Sequence, residues 1–257
     1  MESDNGNSIY AKFANGEPVL RVSGLKKSFG THVVLDGFDL VLTKGENIAV
    51  LGRSGSGKSV LIRCLVRLTE SDEGIINMLG LDVPDLGQDA LDKLRAEIGF
   101  LFQSSALYDS MTVRENLEFP LRRHSKHLTQ AEKDQMVQEA LDNVGLSDTA
   151  DLMPSELSGG MRKRIGIART MIMNPGIMLY DEPTTGLDPV TGRGIGKLML
   201  EMKKKYNTSS IIISHDMGCV KQTADRIVVL VNGRCRALGT YAELEKSEDP
   251  DVHSFFE

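Results

Sequence analysis

The chain has 257 residues, 40% of them hydrophobic with no Trp, and 36 acidic against 30 basic residues give a net charge of −6. That length suits one large domain or a domain with a substantial insertion, and the acidic balance argues against a dedicated nucleic-acid binder. Cys64, Cys219 and Cys235 form no CxxC pair and read as reduced thiols of a cytosolic protein, no apolar run reaches the roughly 18 residues of a membrane span, and the polar N-terminus lacks a signal-peptide core.

Residues 1–18 read as a flexible arm. Short β-type runs follow at 19–23 (VLRVS), 32–35 (HVVL), 38–42 (FDLVL) and 47–52 (NIAVLG), the last two separated by a Lys44-Gly45-Glu46 turn. A helix is expected from about Gly57, then strand GIINML, an amphipathic stretch at 90–96, and strand IGFLF ending at Gln103. From about 104 to 174 the pattern is mostly helical. Met136, Val137, Ala140, Leu141 and Val144 recur at helical spacing before a Gly145 stop, as in a helical subdomain inserted in an α/β core. The core resumes with strand IMLY (177–180), a helix over 189–205, strand SIIIS (210–214), a helix after Asp216 and strand RIVVLV (226–231). Residues 241–257 read as a short tail of one or two helices. Apolar strands separated by helices predict a mainly parallel sheet covered on both faces.

The sharpest motif is Gly52-Arg53-Ser54-Gly55-Ser56-Gly57-Lys58-Ser59, between a strand and a helix. Glycines let such a loop bring backbone N–H groups close to phosphate, and the helix N-terminus adds its positive end. Lys58 would reach the β- and γ-phosphates of a nucleotide, and Ser59 would offer a hydroxyl to Mg²⁺. Strand IMLY delivers Asp181 and Glu182 at its C-terminal end, where ligands sit in open α/β sheets. Asp181 would hold Mg²⁺ through its water shell and Glu182 would polarise the attacking water. His215 follows strand SIIIS and would point at the γ-phosphate; Gln103 stands in the same position after its own strand, where, taken by itself, a plain loop residue is the better reading. The stretch ELSGGMRKR (156–164) poses a problem of its own. Ser158 can cap a helix starting at Gly159-Gly160, leaving N–H groups for an anion. One nucleotide does not need two cradles, so this one would complete the pocket of a second copy.

Taken together, GRSGSGKS, Gln103, LSGGM, IMLYDE, Gly186-Leu187-Asp188 and His215 stand in an order that resembles the nucleotide-binding subunit of ATP-binding cassette (ABC) transporters, over residues 19–240. The resemblance implies a P-loop NTPase of α/β class with an N-terminal antiparallel β subdomain and an inserted helical subdomain. It implies ATP and Mg²⁺ as ligands, and a head-to-tail homodimer in which Ser158, Gly159 and Gly160 close on the partner's ATP. Gln103 would sense Mg²⁺ and couple to an integral-membrane permease, Asp188 would communicate across the pair, and Phe29 would stack on adenine unless it is a core residue. Met161 stands where the family's usual signature has Gln. With 101–124 and 153–164, it resembles the cassettes of MCE-type lipid transporters such as the Mla system. That likeness implies phospholipid transport, a periplasmic MCE lipid-binding subunit, and a peripheral place on the cytoplasmic face of the inner membrane. The longer C-terminal extension of some Mla cassettes is not evident, since the sequence stops at Phe256-Glu257. Import of amino acids or another small solute is the alternative cargo. A non-transport cassette acting on DNA or ribosomes is the alternative from another class, disfavoured by the single cassette without coiled-coil arms.

Overall fold

The computed structural model describes residues 8–125 and 127–257. Strand β3 (Asn47–Leu51) is buried at every position, as are β7 (Ile177–Asp181) and β8 (Ser209–Ile213). Such runs carry no polar face, so they sit inside a sheet covered on both sides. They form it with β6 (Ile98–Leu101), β9 (Arg226–Val231) and β10 (Arg234–Gly239), in the order β10-β9-β3-β8-β7-β6. All neighbours pair in parallel except β10, which returns antiparallel on β9.

A second, antiparallel sheet joins β1 (Pro18–Phe29), β2 (His32–Thr43), β4 (Glu73–Met78) and β5 (Leu81–Asp82) in the order β2-β1-β4-β5. The two runs expected at 32–35 and 38–42 are one strand. Between Leu25↔Phe38 and Lys26↔Asp36 the register slips by one residue at Gly37, whose φ of +77° gives β2 the extra residue of a bulge. This is the expected antiparallel β subdomain.

Helices α1 (Lys58–Leu65) and α2 (Gln88–Ala96) precede the inserted region. That region carries α3 (Val113–His124), α4 (Gln130–Asn143) and α5 (Gly159–Met171). Reciprocal capping boxes, Thr112 with Glu115 and Thr129 with Glu132, start α3 and α4. Leu117, Leu121, Val137, Leu141 and Ile165 form a core continuous with Tyr180 of β7, so the helical subdomain rests on the main sheet through that ring. Helices α6 (Pro189–Tyr206) and α7 (Met217–Thr223) cross between the last parallel strands. The tail forms two short helices, α8 (Tyr241–Leu244) and α9 (Pro250–His253). Their Leu244 and Val252 are buried in one cluster with Val229.

Part of the expected arm, residues 1–7, lies outside the described residues. Residues 8–17 do not hang free. Ser8 Oγ and the Ile9 N–H donate to Glu97, and the Tyr10 hydroxyl meets Asn207 O at 2.8 Å and Ser209 Oγ at 2.9 Å. Lys44 Nζ stands 4.6 Å from the Tyr10 ring centre and donates to the carbonyls of Tyr10 and Phe13. The ring is 5% exposed and fills the space a side chain at Gly176 would need. The segment is therefore a strap across the N-terminal edge of the main sheet.

Gly176→Ala is expected to lower unfolding stability by about 1–3 kcal/mol, the usual cost of overpacking. Urea titration of both proteins measures this, and an unchanged midpoint would mean the strap is not packed as described.

Candidate functional site

Because β3 is buried along its whole length, the chain leaving it must turn at the sheet's C-terminal edge. Gly57 makes that turn with φ +103° and caps α1. A Cβ there would meet Val34 O at 2.9 Å in a backbone conformation that L-residues rarely adopt. Lys58 folds back over the loop, donating to Gly52 O at 2.7 Å and Arg53 O at 3.1 Å. Those carbonyls hold the ammonium over the cradle. Ser56 Oγ is buried in the loop with no partner, an orphan that a ligand oxygen would satisfy.

A cleft of about 630 Å³ opens from this loop. Phe29, Gly52, Ser54 to Ser59, Gln103, Glu182 and His215 all line it. That volume lies within the usual range of small-molecule sites. Phe29 is 53% exposed, which rules out a core role, and Lys27 Nζ stands 5.3 Å from its ring centre. Arg53 belongs to the neighbouring wall of the loop, with His32 and Asp251.

Across the cleft floor, Ser59 Oγ lies 3.4 Å from Asp181 Oδ1. This hydroxyl–carboxylate pair is the hard-oxygen set suited to Mg²⁺, which takes one or two protein oxygens and fills its shell with phosphate and water. No cluster of three or more His, Cys, Asp or Glu side chains competes for a metal among the described residues. Asp181 is buried, and burial pushes its carboxyl above the ordinary range. Glu182 adds to that push, while the Ser59 hydrogen bond, Arg63 and Lys58 oppose it. Burial likewise draws the Lys58 ammonium down, against the pull of Glu182 and Asp181.

Glu182 follows β7 with φ +52°, a left-handed conformation that costs a non-glycine residue about 1–3 kcal/mol. Its N–H donates to Ile213 O at 2.9 Å. His215 Nδ1 contacts Glu182 Oε2 at 2.8 Å, and Thr185 Oγ1 donates to the same oxygen at 3.1 Å. The carboxylate is thus aimed before any ligand arrives. His215 is therefore engaged with Glu182, in addition to lining the cleft. Gln103 lies two residues beyond β6 and is exposed.

Ser158, Gly159, Gly160 and Asp188 do not line this cleft. Ser158 caps α5, its Oγ accepting the Met161 N–H at 3.2 Å, and no acidic residue occupies the helix's first turn. Asp188 caps α6: Oδ1 accepts from the N–H groups of Val190 (2.9 Å) and Thr191 (3.0 Å), and Oδ2 from Thr191 Oγ1 (2.5 Å). The two caps are neighbours, because a Cβ on Gly159 would touch Leu187 and one on Gly160 would strike Thr191. Met161 packs against the helical core, so its side chain is not spent on the anion site.

Two residues escaped the motif reading. Lys163, within the basic run, is only 5% exposed and donates to Gln103 O at 2.5 Å and Glu182 O at 3.2 Å. The signal was present in the spacing: Gly160, Lys163 and Ile167 fall on one helical stripe, and all three are buried. Arg169, two turns on, donates to Ser105 O (3.1 Å) and Ala106 O (2.8 Å). Ser105 and Ala106 both have left-handed backbones, with φ +61° and +47°.

The decisive comparison is with families. The model described as "ABC transporter" matches residues 35–185, more than half of the sequence. The chain belongs to the ABC transporter family. It carries that family's ATP-hydrolysing cassette. Among curated relatives, the methionine import ATP-binding protein MetN of Rhizobium johnstonii is 40% identical over 221 residues, covering 86% of this chain and 60% of the relative. MetN of Brucella abortus is 36% identical over 220 residues, covering 86% and 59%. The probable ribonucleotide transport ATP-binding protein mkl of Mycobacterium bovis is 35% identical over 236 residues, covering 92% and 66%. The chain therefore spans about three fifths of the length of its MetN relatives. None of these three is named for lipid transport. Of solved structures, cbiO1 from Clostridium perfringens, described as part of the ABC transporter complex cbiONQ, superposes with a TM-score of 0.82 at 30% identity, covering 88% of this chain and 90% of that one. The cassette MJ0796, a dimer in a post-hydrolysis state with ADP and Pi, superposes at 0.78 with 29% identity, covering 86% and 98%.

Asp181→Asn is expected to stabilise the metal-free cassette at pH 7 and to weaken Mg²⁺-dependent nucleotide binding. The sign follows from the raised carboxyl. Its proton is held more tightly in the folded chain than in the unfolded one, so stability is lost as pH rises through the folded value. The gain from Asn should be present at neutral pH and vanish below about pH 4, where both states are protonated. Urea melts at the two pH values, with EDTA present, give the answer.

Proposed function

We propose that this chain is the ATP-hydrolysing subunit of an ABC transporter, acting as a head-to-tail pair of copies beneath an integral-membrane permease. One observation carries the proposal: a single cleft gathers the phosphate loop, Ser59 with Asp181 directly behind it, and the Glu182–His215 pair, while the Ser158-Gly159-Gly160 cap stands outside it with free capacity for an anion.

In this reading the loop amides and Lys58 hold the β- and γ-phosphates, and Phe29 stacks on adenine. Ser59, Gln103 and, through water, Asp181 would hold Mg²⁺, which would supply charge neutralisation at the phosphates. Glu182 accepts the proton of the attacking water as general base. His215 and Thr185 fix the carboxylate so that little reorganisation is left for the moment of reaction. The partner's Ser158-Gly159-Gly160 closes the cleft and excludes water from the γ-phosphate. The dimeric cassette MJ0796 with ADP and Pi supports the pairing by likeness. Closing and reopening reach the permease through the segment after Gln103, and the chain sits as a peripheral subunit on the cytoplasmic face of the inner membrane. No helix among the described residues is long and apolar enough to cross a membrane.

For the cargo, the MetN relatives support import of methionine or another small solute. A second reading, phospholipid transport with a periplasmic MCE lipid-binding subunit, rests on Met161 and on the resemblance of 101–124 and 153–164 to cassettes of that type. The two are separated by reconstituting the chain with its permease. Stimulation of ATPase by a methionine-loaded soluble binding protein favours import. Phospholipid retained by the complex, with stimulation by an MCE subunit, favours lipid.

Glu182→Gln is expected to cut ATP turnover by roughly 10²–10⁴-fold while ATP still binds and holds the pair together. Phosphate release and size-exclusion chromatography with ATP test both halves of that statement, and near-normal turnover would remove Glu182 as the base. Ser158→Arg should abolish turnover while leaving nucleotide affinity of the isolated chain within about twofold, because the cap acts on the other copy's ligand. Normal hydrolysis by that variant would defeat the pairing.

A further inference from the structure

The helix that begins at the signature cap does more than present Ser158. Four residues after the first glycine, Lys163 turns inward and is 5% exposed. Its ammonium bridges two carbonyls from different strands: Gln103, beyond β6, and Glu182, at the end of β7. A buried ammonium needs acceptors for its hydrogens, and these two peptide oxygens are what the fold supplies. Further along the same helix, Arg169 takes the carbonyls of Ser105 and Ala106, the two left-handed residues that follow Gln103. The first half of the loop leaving β6 is therefore fastened to α5 at Gln103 and again at Ser105 and Ala106. The strained Glu182 peptide is pinned on one side by its N–H to Ile213 and on the other by Lys163.

We propose that Lys163 is a positioning residue for hydrolysis: its ammonium ties the peptide carbonyls of Gln103 and Glu182 to α5. The assignment rests on the ATPase reading above. Under that reading α5 has two clients. Its N-terminus acts on the partner's nucleotide, and Lys163 joins the same helix to the chain's own water-activating residue and to the loop that leads to the permease. Motion of the cap on one nucleotide is thereby delivered as a displacement of Glu182 and Gln103 at the other. Sequence motifs do not reveal this, because the hydrogen bonds of Lys163 go to backbone oxygens, although the Glu182 and Asp181 carboxylates lie near enough to act on its charge.

The test uses the chain assembled with its permease. Lys163→Met keeps the stem and removes the donors. A misplacement of the base by about 1 Å can cost on the order of 10²-fold, so kcat should fall by roughly 10–100-fold. The Kd for ATP, measured with a fluorescent analogue, should stay within about twofold of wild type. ATP-dependent pairing in a Glu182→Gln background should be retained. Lys163→Arg, which restores a cation with several donors, should recover most of the lost kcat. Wild-type kcat in Lys163→Met, or parallel loss of kcat and affinity, overturns the proposal. A folded Lys163→Arg protein no better than Lys163→Met also overturns it. If Lys163→Met does not fold, Lys163→Leu, which also lacks donors, takes its place with the same criteria, and failure of all three variants to fold makes Lys163 a residue of stability and ends the assignment. An assembled wild-type complex without ATPase activity would instead sink the ATPase reading itself.

Discussion

Ser59 and Asp181 are 122 residues apart in sequence, yet their side-chain oxygens lie 3.4 Å from each other. The site depends on that meeting, and the meeting depends on strand order. β3 and β7 both flank β8 and run parallel to it. Each must therefore end on the same edge of the sheet, and whatever follows each strand is delivered to one cleft. The helices covering the faces serve this arrangement by keeping all three strands dry. Asn47 and Ser209, buried polar residues of these strands, find their partners at the opposite, N-terminal ends. The phosphate loop, the carboxylates and His215 then need no further device to bring them together.

The same floor carries an energetic tension. Two carboxylates stand side by side at a buried strand end, one of them desolvated, and the second in a backbone conformation that a side chain disfavours. The fold holds this through neighbours: Lys58 and Arg63 supply opposing charge, while Ile213, Thr185, His215 and Lys163 fix the Glu182 unit from four directions. A site already charged and aimed reorganises little when its ligand arrives. Stability is what such preorganisation sacrifices.

Much of the frame was legible because its signals are strong. The stretches 48–51 (IAVL), 177–179 (IML) and 211–213 (III) are apolar throughout, and a glycine loop between strand and helix has few other uses. The strand RCRALG was missed because an edge strand half-open to solvent alternates without an apolar face. The strap at 8–17 was taken for a flexible arm because one buried ring, Tyr10, fixes it, and a single aromatic in a polar stretch has no period. Lys163 was hidden for a related reason: a basic run reads as a solvated face, and helical phase alone turns one of its three members inward. The pairing of Ser158 with another copy's nucleotide was argued from surplus, since one chain held two anion cradles. The arrangement of α5 outside the cleft fits that logic.

Asp188 carries a consequence of its own. Three of its roughly four acceptor positions serve the first turn of α6, where it satisfies two backbone N–H groups and the Thr191 hydroxyl, and the carboxylate stays exposed. An outside donor can still reach the free position on Oδ2, and only a group that displaces the helix N–H groups must exchange with the cap. Loss of a helix cap costs about 1 kcal/mol, so the exchange has a threshold. Thr191 also backs Gly160, so loosening the cap disturbs the support of the signature turn beside it. The two helix starts therefore share one support, the Thr191 side chain.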